Sequence, residues 1–558
     1  MAVIPSPYGP LPECLLPVHS LLMQRINHVA TTIPSKKAFI SAEDPSNSVS
    51  YLRLRQECLS LTQFLANRSF ERETACIVLS NRYEYVPFTI AVTSRGGTLS
   101  GVSALFTQTE LAQQFRDSTC TTIVTDADRM GRVAEAIKGN NHIKSILVVG
   151  TQPGMTLPKN YWTWENAVAT TVNANLKPFG IDIDKDIAML PYSSGTTGVP
   201  KGVMLSHRNF SAVIRGLAHW TTNVDSRGRS FAINWTNEHV LVFLPFYHML
   251  GTTMLGLALL LESTAVVMKS FHPVLFLECI QKYRIPMLNL VPPILLFLAK
   301  APLCSNYDLS SLRRITSAAA PAGKDLWDDA MRRYPNLESI QQVYGLSECV
   351  LCTAPDETSR TKIGCSGKVV AGHEMMVLHP IPLPPLPQLV DVDTGAAVAR
   401  GERGEIWMRG PAVMAGYLGK EQATRETIVK GWLRTGDIAY MDDDGDVFIV
   451  DRLKELIKVK GLQVAPAELE DLLLAHPLIV DAAVIGVPDE KSGELPKAFI
   501  VRANDSLTEK EVHDHIRDKV SAYKRLQGGI EFIRQIPRTP SGKIMRKDLR
   551  ARRHTAKM

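Results

Sequence analysis

The sequence predicts an α/β protein. A large N-terminal part of α/β subdomains with a β-rich subdomain is followed by a small α+β C-terminal module. Three observations predict this. The 558 residues exceed what one hydrophobic core fills. Short apolar runs of strand character alternate with stretches of helical spacing, the pattern of a mostly parallel sheet covered on both faces. After Asp451-Arg452 the pattern starts afresh, which divides the chain into 1–451 and 452–558.

From the N-terminus, a Pro-rich lead-in precedes helical segments, with Leu52 to Leu65 at helical spacing. Cys76 to Ser80 reads as a buried strand, Tyr83 to Ser94 as a helix, and Thr122 to Thr125 and Ser145 to Gly150 as further strands. Ile187 to Leu190 leads into a Gly-rich loop, and Ser206 is placed to cap a following helix with Val213, Ile214 and Leu217 inward. Val240 to Phe246 reads as a strand ending at Tyr247-His248. Asn289 to Val291 leads into Pro292-Pro293 and a helix, Arg314 to Pro321 is a strand running into small residues, and Gln341 to Glu348 is a strand-to-loop run ending in a hydroxyl and a carboxylate. Gly404 to Val450 has short strands and turns, with Asp442 to Gly445 as a hairpin turn. Pro380 to Pro387 reads as an exposed hairpin insertion, with a PxxP ligand as the alternative. The last module reads β-α-β-β-α-β, from Leu456 to a strand near Phe532.

Composition narrows the function class. A hydrophobic content of 45% and a charged content of 21% are ordinary for a globular protein. The net charge is +6, and from Leu453 onward 20 basic and 15 acidic residues leave +5. A basic face toward an anionic ligand is one reading and a solvated Lys-rich surface the other. No aromatics interleave with these charges as they do in nucleic-acid grooves. Nine scattered cysteines form no disulfide framework, and Cys349-x-x-Cys352 lacks a second pair at zinc spacing. Met1 to Pro17 has no basic segment of a signal peptide. The most apolar run, Val240 to Leu261, contains Pro245, Tyr247, His248 and Gly251, which suits a strand–turn–helix rather than a membrane span. Ala556-Lys557-Met558 follows the small–basic–aliphatic pattern of a peroxisomal address, with a frayed basic tail as the alternative. The expected location is therefore the peroxisome, or otherwise the cytoplasm.

The chemistry gathers first at Tyr192-Ser193-Ser194-Gly195-Thr196-Thr197-Gly198-Val199-Pro200-Lys201-Gly202. Glycines admit close approach of a ligand, hydroxyls and N–H groups donate, and the lysine adds a charge. This is equipment for a polyphosphate, in an expected strand–loop–helix setting. No Gly-Lys-Ser/Thr follows at Walker spacing, so a P-loop NTPase is disfavoured.

That loop, Gln341 to Glu348, Thr435-Gly436-Asp437, Asp451-Arg452-Leu453-Lys454 and Pro540-Ser541-Gly542-Lys543 stand in the order and spacing of the adenylate-forming enzymes. The chain resembles this family over nearly its whole length, nearest the 4-coumarate–CoA ligase-like branch through Lys454 to Gly461 and Val464 to Glu470. The resemblance implies an ATP-dependent carboxylic acid–CoA ligase with a mobile C-terminal domain. It assigns the β- and γ-phosphates to Ser193, Ser194, Gly195, Thr196, Thr197 and Lys201, adenine to Tyr344 beside Gln341 and Gly345, the α-phosphate to Ser347, and Mg²⁺ to Glu348. Asp437 would accept from the ribose hydroxyls, with Arg452 and Lys454 nearby. Lys543 would neutralise the adenylation transition state. Lys458, with Lys460, Gly461 and Gln463, would face the site for thioester formation with CoA after rotation about a hinge near Lys454. His248 would meet the incoming carboxylate or thiol, and Thr316, Ala318, Ala319 and Ala320 would line the acid's pocket.

Leu250, Thr316 and Ala318 replace the tyrosine, lysine and glycine found in many plant relatives, which favours an apolar acid. Beside the ligase stand three alternatives: an adenylation enzyme loading a carrier protein, a luciferase-like oxygenase, and a silent nucleotide-binding protein. The retained Lys201, Glu348, Asp437 and Lys543 speak against the last.

Overall fold

The computed structural model describes residues 3–555 except 153, 194–199, 225–232, 319–322, 357, 360–361, 379–400, 402, 460–461, 490, 518 and 540–541. The expected Pro380 to Pro387 hairpin and the Ala556-Lys557-Met558 terminus lie outside them.

The α/β prediction is met by two larger sheets and one small one. A nine-stranded sheet has at its centre the parallel strands Ile187–Met189, Thr98–Gly101, Thr74–Val78, Thr122–Asp126 and Ser145–Val149. These strands read as near-continuous apolar runs because both faces are covered, and Cys76, Ile77, Ile123 and Leu147 are fully buried. A four-stranded sheet holds His239–Val242, Thr264–Val267, Lys37–Ser41 and Ser48–Ser50. A three-stranded parallel sheet holds Met287–Leu290, Arg314–Ser317 and Ser339–Gln342. The loops that leave these parallel strands at their C-terminal ends carry His248, Ala318, Tyr344, Gly345, Ser347 and Glu348, the usual place for a ligand in such folds.

The β-rich subdomain is a six-stranded sheet that includes Gly404–Arg409, Trp432–Met441 and Val447–Arg452. Its hairpin turn falls at Asp442 to Gly445 as expected, with the Gly445 N–H donating to the Asp442 carbonyl at 3.1 Å. Asp442, Asp444 and Asp446 converge on the Lys362 ammonium at 2.6 Å each, so this acidic cluster encloses a cation belonging to the chain itself.

A separate five-stranded sheet begins at Ile457–Val459 and includes Ile479–Asp489 and Gly493–Arg502. Its core comprises Ile457, Val459, Leu469, Val484, Ile500 and Val512. Helices Pro466–Leu474 and Glu509–Arg517 are the two helices that the expected β-α-β-β-α-β order calls for. A third helix, Arg546–Thr555, follows the Lys543 turn.

Two local expectations need correction. Val240 to Phe246 is a strand only over His239–Val242, because Pro245 cannot donate to a ladder. The phosphate-type loop is not strand–loop–helix. Tyr192–Ser193 and Lys201–Ser206 pair antiparallel, so the loop is a hairpin, and the helix His207–His219 starts a strand later. Ser206 caps that helix as expected, accepting from the Asn209 N–H at 3.2 Å within a capping box. Residues 194–199 lie outside the described residues, and the next helix in the chain starts only after the strand Lys201–Ser206.

Candidate active site

The β-rich sheet sets the first pair. Its antiparallel register puts Asp437 opposite Arg452, with Arg452 Nε 3.4 Å from Asp437 Oδ1. Tyr344, just past Ser339–Gln342, donates its hydroxyl to the other oxygen, Asp437 Oδ2, at 2.6 Å. Asp437 is buried, and burial pushes its carboxyl upward; Arg452, Tyr344 and Lys543 hold it down. The Tyr344 hydroxyl is pushed well up by its own burial and by Asp437. Gly345 follows, where a Cβ would lie 1.8 Å from the Val350 carbonyl oxygen, so any side chain would break the turn that presents Ser347 and Glu348.

Glu348 is held by a residue the motifs did not flag. Tyr417 donates its hydroxyl to Glu348 Oε1 at 2.8 Å, and Lys201 Nζ lies 4.9 Å from the centre of the Tyr417 ring. Tyr417 comes from the two-residue strand Gly416–Tyr417, paired to Lys201–Ser206 with Val203 opposite Tyr417. A tyrosine in a run of small residues carries no chemical signal of its own; only the strand pairing brings it to the lysine and the carboxylate.

His248 caps the helix Met249–Leu260, its Nδ1 accepting from the Leu250 N–H at 3.4 Å. Burial and the Lys543 charge lower its pKa to about 4, so the ring is neutral near pH 7. A neutral imidazole with Nδ1 as acceptor carries its proton on Nε2, which makes that nitrogen a donor.

Lys543 enters from the C-terminal module. Its turn is closed by the Thr539 N–H to the Lys543 carbonyl at 2.8 Å, and Arg538 Nη1 donates to the Gly542 carbonyl at 2.9 Å. Burial lowers the Lys543 pKa, Arg452 lowers it further, and Asp437, Glu348 and Glu455 oppose them. One lysine thus shares a charge environment with a strand pair, a carboxylate and a histidine from three other parts of the chain.

The remaining expected residues fall as follows. Ser193 Oγ is buried with no hydrogen-bond partner among the described residues. Ser194, Gly195, Thr196, Thr197, Ala319, Ala320, Lys460 and Gly461 lie outside the described residues, as does the Gln463 side chain. Thr316 and Gln341 are buried neighbours in register on adjacent parallel strands, and Ala318 follows them. Lys454 is exposed in the turn after Arg452. Lys458 is exposed between buried Ile457 and Val459. The structure therefore gathers Tyr344, Glu348, Asp437, Arg452, Lys543 and His248. Cys349 and Cys352 are both buried free thiols. Among the described residues, the only group with three possible metal-holding side chains is the Asp442, Asp444 and Asp446 cluster described above.

Residues 26–418 match the AMP-binding enzyme family, and residues 468–543 match the AMP-binding enzyme C-terminal domain. The chain belongs to the AMP-binding enzyme family. It is 40% identical to 4-coumarate–CoA ligase 2 of Nicotiana tabacum, over 86% of this chain and 85% of that protein. It is 39% identical to 4-coumarate–CoA ligase 1 of Solanum tuberosum, over 86% and 84%. Its fold is that of the crystal structure of an anthranilate CoA ligase in complex with anthranoyl-AMP. That match has a TM-score of 0.82 at 23% identity and covers 96% of this chain and 98% of that one. No helix among the described residues of this family member is long and apolar enough to cross a membrane.

Proposed function

We propose that this enzyme joins a carboxylic acid with an apolar tail, arylalkenoic or fatty, to CoA by way of an acyl-adenylate. The enzyme class, an AMP-forming acid–thiol ligase, follows from the family and from relatives at about 40% identity over most of the chain. The observation that carries the reading is Lys543, delivered by a separate module into the charge environment of Asp437, Glu348 and His248.

In the first half-reaction the acid's carboxylate oxygen attacks the α-phosphorus of ATP, an O–P bond forms, and pyrophosphate leaves with the electrons of the broken P–O bond. Two anions meet, so stabilisation comes from cations and donors preorganised where charge develops. Lys543 supplies charge at the reacting phosphoryl, and Lys201, Ser193 and the hairpin hold the departing pyrophosphate. Asp437 accepts from the ribose hydroxyls, and the His248 Nε2–H donates to the carboxylate. In the second half-reaction the CoA thiol attacks the acyl carbon, loses its proton, and AMP leaves.

Glu348 suits Mg²⁺: Tyr417 fixes one carboxylate oxygen, and one protein carboxylate with phosphates and waters is this ion's habitual coordination. When bound, the ion neutralises phosphate charge. Rotation of the module about a hinge near Lys454 would exchange Lys543 for Lys458. Lys458 is exposed while Lys543 sits among the charges of Arg452, Asp437 and Glu348, which supports two alternating faces. Retention of Leu250, Thr316 and Ala318 where plant relatives carry other residues supports an apolar acid.

ATP–pyrophosphate exchange and CoA-dependent AMP release across a panel of fatty, cinnamic and hydroxycinnamic acids test this. Exchange with no acid would sink the ligase reading, and strict preference for hydroxylated acids would sink the apolar-acid assignment. Peroxisomal delivery by an import receptor reading Ala556-Lys557-Met558 is proposed too. A fluorescent fusion that keeps its location after loss of those three residues would refute it.

A further inference from the structure

Asn81 lies just beyond the strand Thr74–Val78, far in sequence from every candidate residue, and is 5% exposed. Its side-chain amide is fully engaged. Nδ2 donates to the Leu244 carbonyl at 3.0 Å and the Met268 carbonyl at 3.2 Å, while Oδ1 accepts from the Phe246 N–H at 2.9 Å. Its own N–H donates to the Lys269 carbonyl at 3.3 Å. One side chain therefore joins the end of a central strand in the nine-stranded sheet to the ends of two strands in the four-stranded sheet.

Two of the main-chain groups it satisfies, the Leu244 carbonyl and the Phe246 N–H, flank Pro245, where the strand His239–Val242 has already ended and ladder partners are lost. Beyond Pro245 the chain turns tightly. The His248 N–H donates to the Pro245 carbonyl at 3.1 Å, and a Cβ on Gly251 would meet that same oxygen at 2.3 Å. The path from Asn81 to the His248 ring is thus two residues of main chain held in one turn. Two N–H donors and one acceptor in a side chain this short are available only from asparagine: aspartate offers acceptors alone, and glutamine adds a methylene in a buried site.

We propose that Asn81 is a positioning residue for His248, fixing the Leu244–His248 turn so that the imidazole meets the acid's carboxylate. This rests on the reading of His248 given above. Adjacent polar side chains such as Arg82 and Glu84 pair with each other, at 2.8 Å, and touch none of the Leu244 to His248 groups that Asn81 holds.

The test is a double-substitution cycle on the full chain, read by ATP–pyrophosphate exchange with an acid from the panel. Asn81→Ala is expected to lower kcat/KM for the acid by about tenfold, with the KM for ATP unchanged. In a His248→Ala background the same substitution should cost less than about twofold, because the group it positions is gone. Asn81→Asp should be as poor as Asn81→Ala, since it sets a carboxylate against two carbonyls. Asn81→Ser carries the cycle if the alanine variant does not fold. Equal losses in both backgrounds, a parallel rise in the KM for ATP, or full activity of Asn81→Asp would each overturn the proposal. If His248→Ala alone retains full activity, the reading of His248 fails first and the proposal with it, a result distinct from an additive cycle.

Discussion

Tyr344 donates its phenolic hydrogen to Asp437 at 2.6 Å, joining residues 93 positions apart and two sheets. This bond holds the carboxylate while Arg452 occupies its other oxygen. Tyr344→Phe keeps the aromatic face for a nucleobase and removes only the donor. A bond to a charged group is worth about 1.5–3 kcal/mol. The KM for ATP is therefore expected to rise by roughly tenfold with a smaller change in kcat. An unchanged ATP KM in steady-state kinetics would show that Asp437 needs no such anchor.

Tyr417 and Glu348 form the corresponding pair at the phosphate end. Tyr417→Phe frees the carboxylate that would meet Mg²⁺ and leaves the ring beside Lys201. The Mg²⁺ concentration for half-maximal exchange is expected to rise several-fold, on the order of 1 kcal/mol. A magnesium titration at saturating ATP reads this directly, and superimposable curves would count against the role.

Lys543→Ala removes charge from the adenylation face alone. Pyrophosphate exchange should fall by at least about a thousandfold, while thioester formation from supplied acyl-adenylate and CoA persists. Lys458→Ala should show the converse. Equal loss in both half-reactions would contradict alternating faces.

The module that carries Lys543 docks closely on the large part. A Cβ on Gly323 would sit 2.9 Å from Asp471 Oδ1, and Lys300 Nζ donates to the Leu474 carbonyl at 3.4 Å. Gly323 has φ −66°, so a larger residue is unstrained there except by this contact. Gly323→Leu should slow exchange severalfold and spare the thioester step, by disfavouring this docking. Unaltered exchange would show that the contact yields without cost.

Acid should destabilise the fold through two neighbouring histidines, buried His207 and half-buried His19. Burial lowers His19 and His207 to about 4, and the charge of His207 adds to the effect on His19. Their folded values lie below the unfolded 6.5, so the unfolded chain binds more protons between the two. The stability they confer is complete above about pH 6.5 and is lost as pH falls toward 4. For fully buried His207 this amounts to on the order of 3 kcal/mol. Urea melts from pH 7 to 4.5 should show the loss, and His207→Asn, which can still accept the Val18 N–H now bonded to Nδ1 at 3.1 Å, should flatten it. Parallel pH profiles for the two proteins would exclude His207 as the cause.

Much of the fold could be read from the chain. The buried strands at Cys76, Ile123 and Ile146 were legible because a doubly covered parallel strand is continuously apolar, and the Ser206 cap because its chemistry is local. The hairpin around the Gly-rich loop was hidden, since Lys201 to Ser206 carries no strand alternation and its pairing partners are set elsewhere. Residue order settles which side chains are available: Lys201, Glu348, Asp437 and Lys543 stand in motifs whose spacing names their chemistry. Which of them meet is a matter of the folded chain. Folding placed Asp437 opposite Arg452, brought Tyr417 to Glu348, tied Asn81 to the turn before His248, and set Lys543 among the charges of Arg452, Asp437 and Glu348. The physical reason is that these relations depend on strand register and module docking, which are set by summed burial over distant segments and leave no mark in local residue order.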